Sequence, residues 1–194
     1  MASVFRLGAS VALLVAACAS TMRPASTKTI EARDLYPLQT GNAWSYDVDT
    51  GEASTTLAVT RVESFDGRIA EVRTGQTLLR YEVLSQGIRV PSADEWVLRA
   101  PLEEGATWAG RGGRTARLVS TGLRVETRAG TFDDCVLVSE TGGKLELEVQ
   151  TVYCASVGPV LVESTMRSNV SDRALTVSAR LRGYEVSPTS STRR

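Results

Sequence analysis

Histidine is absent from this chain of 194 residues, which removes much of the acid–base and metal chemistry a protein of this size can carry. No Ser-His-Asp or Cys-His pair can form, and no imidazole-ligated zinc or iron site. Lysine occurs only at Lys28 and Lys144. Among the carboxylates, Asp133 and Asp134, like Glu103 and Glu104, are chain neighbours, so a strand turns the members of each pair to opposite faces. Asp47, Asp49 and Glu52 in the stretch DVDTGE share part of the spacing of a calcium loop, but its flanking ligands are missing, and a hairpin turn accounts for them. No catalytic residue, metal ligand or cofactor is expected, and the chain reads as a non-enzymatic protein. What remains is thiol chemistry, at Cys18, Cys135 and Cys154.

The first of these thiols stands where an apolar run stops. Met1 to Arg6 carries positive charge, and Leu7 to Ala17 is apolar apart from Gly8 and Ser10. As a helix that run spans roughly 16 Å, about half of a hydrocarbon layer of about 30 Å. Its length and flanks are those of a secretory signal, residues 1–17. Leu14-Val15-Ala16-Ala17-Cys18 resembles the lipobox of bacterial lipoproteins, with an aliphatic residue three before the cysteine and two small residues beside the cleavage point. The resemblance implies that Cys18 takes a diacylglyceryl group and further acyl chains such as palmitate. Several chains on one residue make a stable membrane anchor. Ala19, where an Asp retains many lipoproteins in the inner membrane, points to the outer membrane. The protein is thus expected to be lipid-anchored there, with residues 18–34 as a flexible tether and 188–194 as a disordered tail.

Removing the signal leaves about 177 residues, enough for one domain with a real core, placed at 35–187. Basic and acidic residues number 22 each, and no basic stripe marks a nucleic-acid partner. The short basic stretch RGGR at 111–114 reads as a surface loop. With Cys18 acylated, Cys135 and Cys154 are an even pair in an oxidising compartment, so a disulfide between them is expected. It closes a loop of about twenty residues and contributes about 3 kcal/mol in the chain-entropy model.

Beyond Trp44 the patterning is period two. LRVETRAGTF sets Leu123, Val125 and Thr127 against Arg124, Glu126 and Arg128. KLELEVQTVY sets Leu145, Leu147, Val149 and Tyr153 against Glu146, Glu148 and Gln150. RALTVSARL sets Leu175, Val177, Ala179 and Leu181 against Thr176, Ser178 and Arg180. Such alternation, broken by FDGR, RTGQ, SQG, TGGK and SNVSD, gives about ten half-buried antiparallel strands and no helix. Val160, Val162, Ser164 and Met166 are expected to share a face with Leu175, Val177, Ala179 and Leu181, the hairpin closing near Ser168 and Asp172. A turn centred on Gly142-Gly143 pairs Val136 with Val149 and Val138 with Leu147. That register leaves Cys135 and Cys154 four residues out of step, roughly 13 Å apart, so the disulfide requires a bulge, a longer loop or a curled strand pair. One apolar face on a meander of hairpins must be covered, and curling into an open or half barrel covers it.

Three motifs punctuate the domain: LYPLQTGNAWSYDV at 35–48, RAGTFDDCVLVSE at 128–140 and VYCASVGPVLVEST at 152–165. In this order they resemble a broad group of bacterial envelope lipoproteins of uncharacterised function, whose members carry PLxxGNxWxY, GTFxxC and YxxxVG patterns. Pro159 departs from that pattern, standing where a second glycine is expected. The resemblance implies a β-rich envelope lipoprotein and assigns no activity. Structurally, Trp44 and Tyr46 fall on one side of the first strand, Phe132 plugs a sheet end, and Gly158 permits a bend. The function expected is that of a binding or assembly module in the cell envelope, with an envelope protein as partner. The alternatives are a periplasmic carrier of acyl chains or lipoproteins, with a lipid ligand, and an inhibitor of a cell-wall hydrolase. A pocket lined by Trp44, Tyr46, Trp96 and Trp108 fits the carrier, and an exposed loop around GRGGR fits the partner-binding module or the inhibitor.

Overall fold

The computed structural model describes residues 30–51, 54–143, 147–167 and 174–187. A one-turn helix, α1 (Ala32–Leu35), precedes the strands β1 (Ala43–Asp49), β2 (Thr56–Phe65), β3 (Ile69–Thr74), β4 (Thr77–Leu84), β5 (Gly87–Val90) and β6 (Glu95–Arg99). They are followed by β7 (Thr107–Ala109), β8 (Arg114–Thr127), β9 (Gly130–Gly142), β10 (Leu147–Cys154), β11 (Gly158–Arg167) and β12 (Ala174–Glu185). A 3-10 turn, Arg111–Gly113, separates β7 from β8. The expected all-β meander is present, with twelve strands in one antiparallel sheet instead of about ten. β7 has three residues and β5 four, too short for alternation to announce them.

Neighbours in the sheet run β6, β5, β4, β3, β2, β1, β12, β11, β10, β9, β8, β7. The first and last strands, β1 and β12, therefore lie side by side in the middle of the sheet, and β6 and β7, consecutive along the chain, are its two edges. The sheet curls until those edges nearly meet in a barrel. No ladder joins them, but the Trp108 indole N–H on β7 donates to the Trp96 carbonyl on β6 at 3.2 Å. Near-closure shields backbone edges that an open sheet would leave for other chains.

Meander geometry gathers the β1–β2, β3–β4, β9–β10 and β11–β12 connections at one end of the barrel. At the other end the chain before β1 folds inward. Ala32, Leu35, Tyr36, Pro37 and Leu38 are all buried. A capping box between Glu31 and Asp34 starts α1, and the Ser156 N–H ties it to the β10–β11 turn by donating to Asp34 O at 2.7 Å. Residues 32–34, read from the sequence as the end of a tether, thus belong to the folded domain. Their few apolar side chains hid this, because Ala32 packs as part of one turn shared with Leu35.

The β11–β12 register is the expected one, with Met166 opposite Leu175, Ser164 opposite Val177 and Val162 opposite Ala179. The expected closing residues around Ser168 and Asp172 lie outside the described residues. The β9–β10 register differs from the tight-turn expectation by four residues: Val138 faces Thr151 and Val136 faces Tyr153. The same shift sets Cys135 directly opposite Cys154, where they form a buried disulfide.

Candidate functional site

Strand alternation decides which side chains enter the barrel. Tyr46 on β1, Tyr81 on β4, and Thr151 and Tyr153 on β10 point inward, and Tyr36 reaches them from the inserted segment after α1. The Tyr36 ring lies 6.0 Å from Tyr81 and 6.2 Å from Tyr153, centroid to centroid. Together with Val72, Leu79, Val97 and Val162 these tyrosines line a cavity of about 450 Å³. Leu79 is 43% exposed although it lines the cavity, so the space opens toward the hairpin-turn end of the barrel.

Burial pushes the Tyr36, Tyr46 and Tyr153 hydroxyls well above the ordinary tyrosine range. They stay protonated at physiological pH and keep their capacity to donate a hydrogen bond. Tyr46 uses it on the Pro159 carbonyl at 2.9 Å.

Arg111 is the cation of this interior. It lies on the 3-10 turn at the open end and lines the cavity, its side chain one third accessible (32%). The turn is pinned on both sides. Gly113 N–H donates to Glu95 Oε1 at 3.3 Å, and Gly143 packs so closely that a Cβ there would lie 2.9 Å from Gly112 O. Burial works to lower the Arg111 pKa, but its acidic neighbours, the Glu140 carboxylate among them, outweigh it and the net displacement is upward, so the guanidinium remains a cation. Glu140 shares the inward face of β9 with Val136 and Val138 and is 5% exposed. Arg114 donates to Glu140 Oε2 twice, from Nη2 at 2.8 Å and from Nε at 3.2 Å. Arg111 Nε stands 3.7 Å from Glu140 Oε1, beyond hydrogen-bond reach. The arrangement can hold an anion or the polar head of a ligand; it offers no nucleophile paired with a base.

The sequence motifs are found at the other end, holding the barrel shut. Trp44 Nε1 donates to Val157 O at 2.6 Å, and its indole lies across Gly158. Gly158 has φ +112°, and a Cβ there would stand 2.8 Å from Trp44 Nε1, so only glycine fits. Asn42, 1% exposed, donates to Pro37 O at 2.6 Å and accepts from Ser187 N–H at 2.9 Å, joining the entry and exit of the domain. The first and last motifs thus form one clamp. Phe132 of the middle motif is buried with its ring 5.8 Å from Tyr184.

Of the four aromatic residues expected to line a pocket, Tyr46 does so. Trp44, Trp96 and Trp108 are buried but are not among the lining residues. Trp44 is taken up by the clamp, Trp108 by the seam, and Trp96 lies under Arg99 and Arg89, whose guanidinium carbons are 5.3 and 5.9 Å from its ring centre. Sequence reading placed 111–114 in a surface loop and missed Arg111. The signal was on a different strand: Glu140 continues the Val136, Val138 alternation, and a carboxylate on an apolar face requires a cation nearby. Cys18 lies outside the described residues.

No family model matches the chain, and no curated protein does. One solved structure is similar, described as a "putative exported protein with YmcC-like fold" from Bacteroides fragilis, with 15% identity and a TM-score of 0.47 over 77% of this chain and 98% of that one.

Proposed function

We propose that this chain is an outer-membrane lipoprotein, anchored by acyl chains on Cys18, that binds a small apolar ligand inside its barrel as a non-enzymatic module of the cell envelope. The cavity carries this reading. At about 450 Å³ it is within the range of about 300–1,000 Å³ found for small-ligand sites, and it pairs aliphatic and aromatic walls with tyrosine and threonine hydroxyls and the Arg111 guanidinium. The tyrosines there are held neutral, which suits recognition better than proton transfer. A partner in the envelope, protein or membrane, then serves as donor or acceptor of the ligand.

Two measurements test this. Labelled palmitate should enter the wild type and not Cys18→Ala, and equal labelling in both would end the lipoprotein reading. Native mass spectrometry of protein extracted from membranes should find a retained small molecule; a barrel that is always empty, and takes up none when offered lipid extract, would contradict the binding reading.

A further inference from the structure

We infer that the ligand of this cavity is an amphiphile with an oxyanion head, a carboxylate or phosphate on an aliphatic tail, seated on Arg111. The inference rests on the ligand-binding reading above and adds the chemistry of the head group.

Charge is the first argument. Inside the barrel Arg111 and Arg114 bring two guanidinium groups to a single carboxylate, Glu140. Arg114 satisfies that carboxylate with two hydrogen bonds, and Arg111 makes none to it. Arg111 Nε is a buried donor without an acceptor among the described residues. The Arg111 guanidinium, one third accessible from the open end, therefore keeps hydrogen-bonding capacity that Glu140 does not use. A guanidinium presents parallel N–H groups that match a carboxylate or phosphate in bidentate fashion, whereas a neutral head would leave the charge uncompensated and a cation would be repelled.

The second argument is what surrounds it. Tyr36, Tyr81 and Tyr153 line the same cavity as Arg111, and phenol hydroxyls donate to oxyanions. The apolar walls formed by Val72, Val97 and Val162 accept a tail. On the inward face at the open end, Leu147, Met166 and Leu175 stand side by side across β10, β11 and β12, and Met166 and Leu175 are exposed. They extend the apolar lining out of the cavity, along the path a tail would take.

The test uses the chain from residue 19 onward, free of detergent; it keeps every core residue, since the core begins at Ile30 and Ala32. Decanoate, decyl phosphate and decanol are titrated calorimetrically into the wild type, Arg111→Met and Arg111→Lys. The wild type should bind one or both anions at least about tenfold tighter than decanol, the worth of one charged hydrogen bond. Arg111→Met should keep decanol binding and lose that preference, and Arg111→Lys should retain part of it. A preference for decyl phosphate identifies a lipid phosphate as the head, and one for decanoate a free acyl carboxylate. Equal wild-type affinity for all three, or a preference that survives in Arg111→Met, would overturn the oxyanion assignment while leaving the cavity a binding site. Failure of all three to bind would overturn the binding reading with it.

Discussion

Two buried carboxylates in this barrel each face two arginines, and they resolve the encounter differently. Glu82 is next to the inward-pointing Tyr81 and so lies on the outer face, 3% exposed. Arg68 Nε donates to its Oε1 and Arg89 Nε to its Oε2, each at 2.6 Å. Both carboxylate oxygens are satisfied, and the Arg68 side chain, 68% exposed, leaves its share of the charge in water. Glu140 has the same partners in kind but lies inside. There Arg114, 14% exposed, takes one oxygen twice, and Arg111 is left facing a tyrosine-lined cavity. The same three charges make a closed surface knot in one place and an unfinished site in the other. The surplus positive charge is common to both; what distinguishes them is that both arginines hydrogen-bond Glu82, whereas Arg111 makes no hydrogen bond to Glu140.

The largest effect expected is from Glu140→Gln. It strands two guanidinium groups in the barrel and should cost about 4 kcal/mol, the penalty for breaking a buried ion pair. In thermal unfolding that is a fall of roughly 10 °C for a domain of this length. Glu82→Gln should cost clearly less, because its arginines can turn to solvent. Equal losses would erase the distinction between the two knots. The Glu82 carboxylate is held below the ordinary range by hydrogen bonds from Arg89 and then Arg68, against the upward pull of burial. A depressed folded pKa contributes stability above the unfolded value, so that share should be lost on acidification below about pH 4.3, and the loss should be absent in Glu82→Gln.

Next comes the clamp. Gly158→Ala must adopt φ +112° and displace the Trp44 indole, and should cost about 3 kcal/mol. Denaturant unfolding measures it. A loss within error would mean that the last motif does not hold the first. Smaller still, and graded, is the alkaline limb. Tyr36, Tyr46 and Tyr153 have raised folded pKa values, so above about pH 10 the unfolded chain releases protons that the folded one keeps. Stability should fall as pH rises there, by about 1.4 kcal/mol per pH unit for each tyrosine involved. Tyr36→Phe should make that slope shallower; an unchanged slope would place its hydroxyl in water.

Period-two alternation made the sheet legible, and the β11–β12 register could be read from Val162 and Ala179 because both strands have one continuous apolar face. The β9–β10 register was not, since Gly142-Gly143 imitates the centre of a two-residue turn while the strands pair four residues away from that register. The motifs drew attention to Trp44 and Gly158, which serve the fold. Arg111 was hidden by its surroundings in sequence: flanked by glycines, it looks like any basic turn, and only its height above Glu140 in the folded barrel gives it meaning. Curvature, which brings β7 and the 3-10 turn back over β9, has no signature in local patterning.

The smallest stability effect is also the most telling. If Arg111 is held for a ligand and not for the fold, removing it leaves Glu140 paired with Arg114 through both hydrogen bonds and takes away only a guanidinium that makes none to it. The decisive measurement is the thermal unfolding midpoint of Arg111→Met beside wild type, both without ligand. The account predicts a midpoint equal to the wild type or a few degrees higher, about 1 kcal/mol at most. A midpoint lowered by roughly 5 °C or more would make Arg111 a structural partner of Glu140 and contradict its place in a binding site.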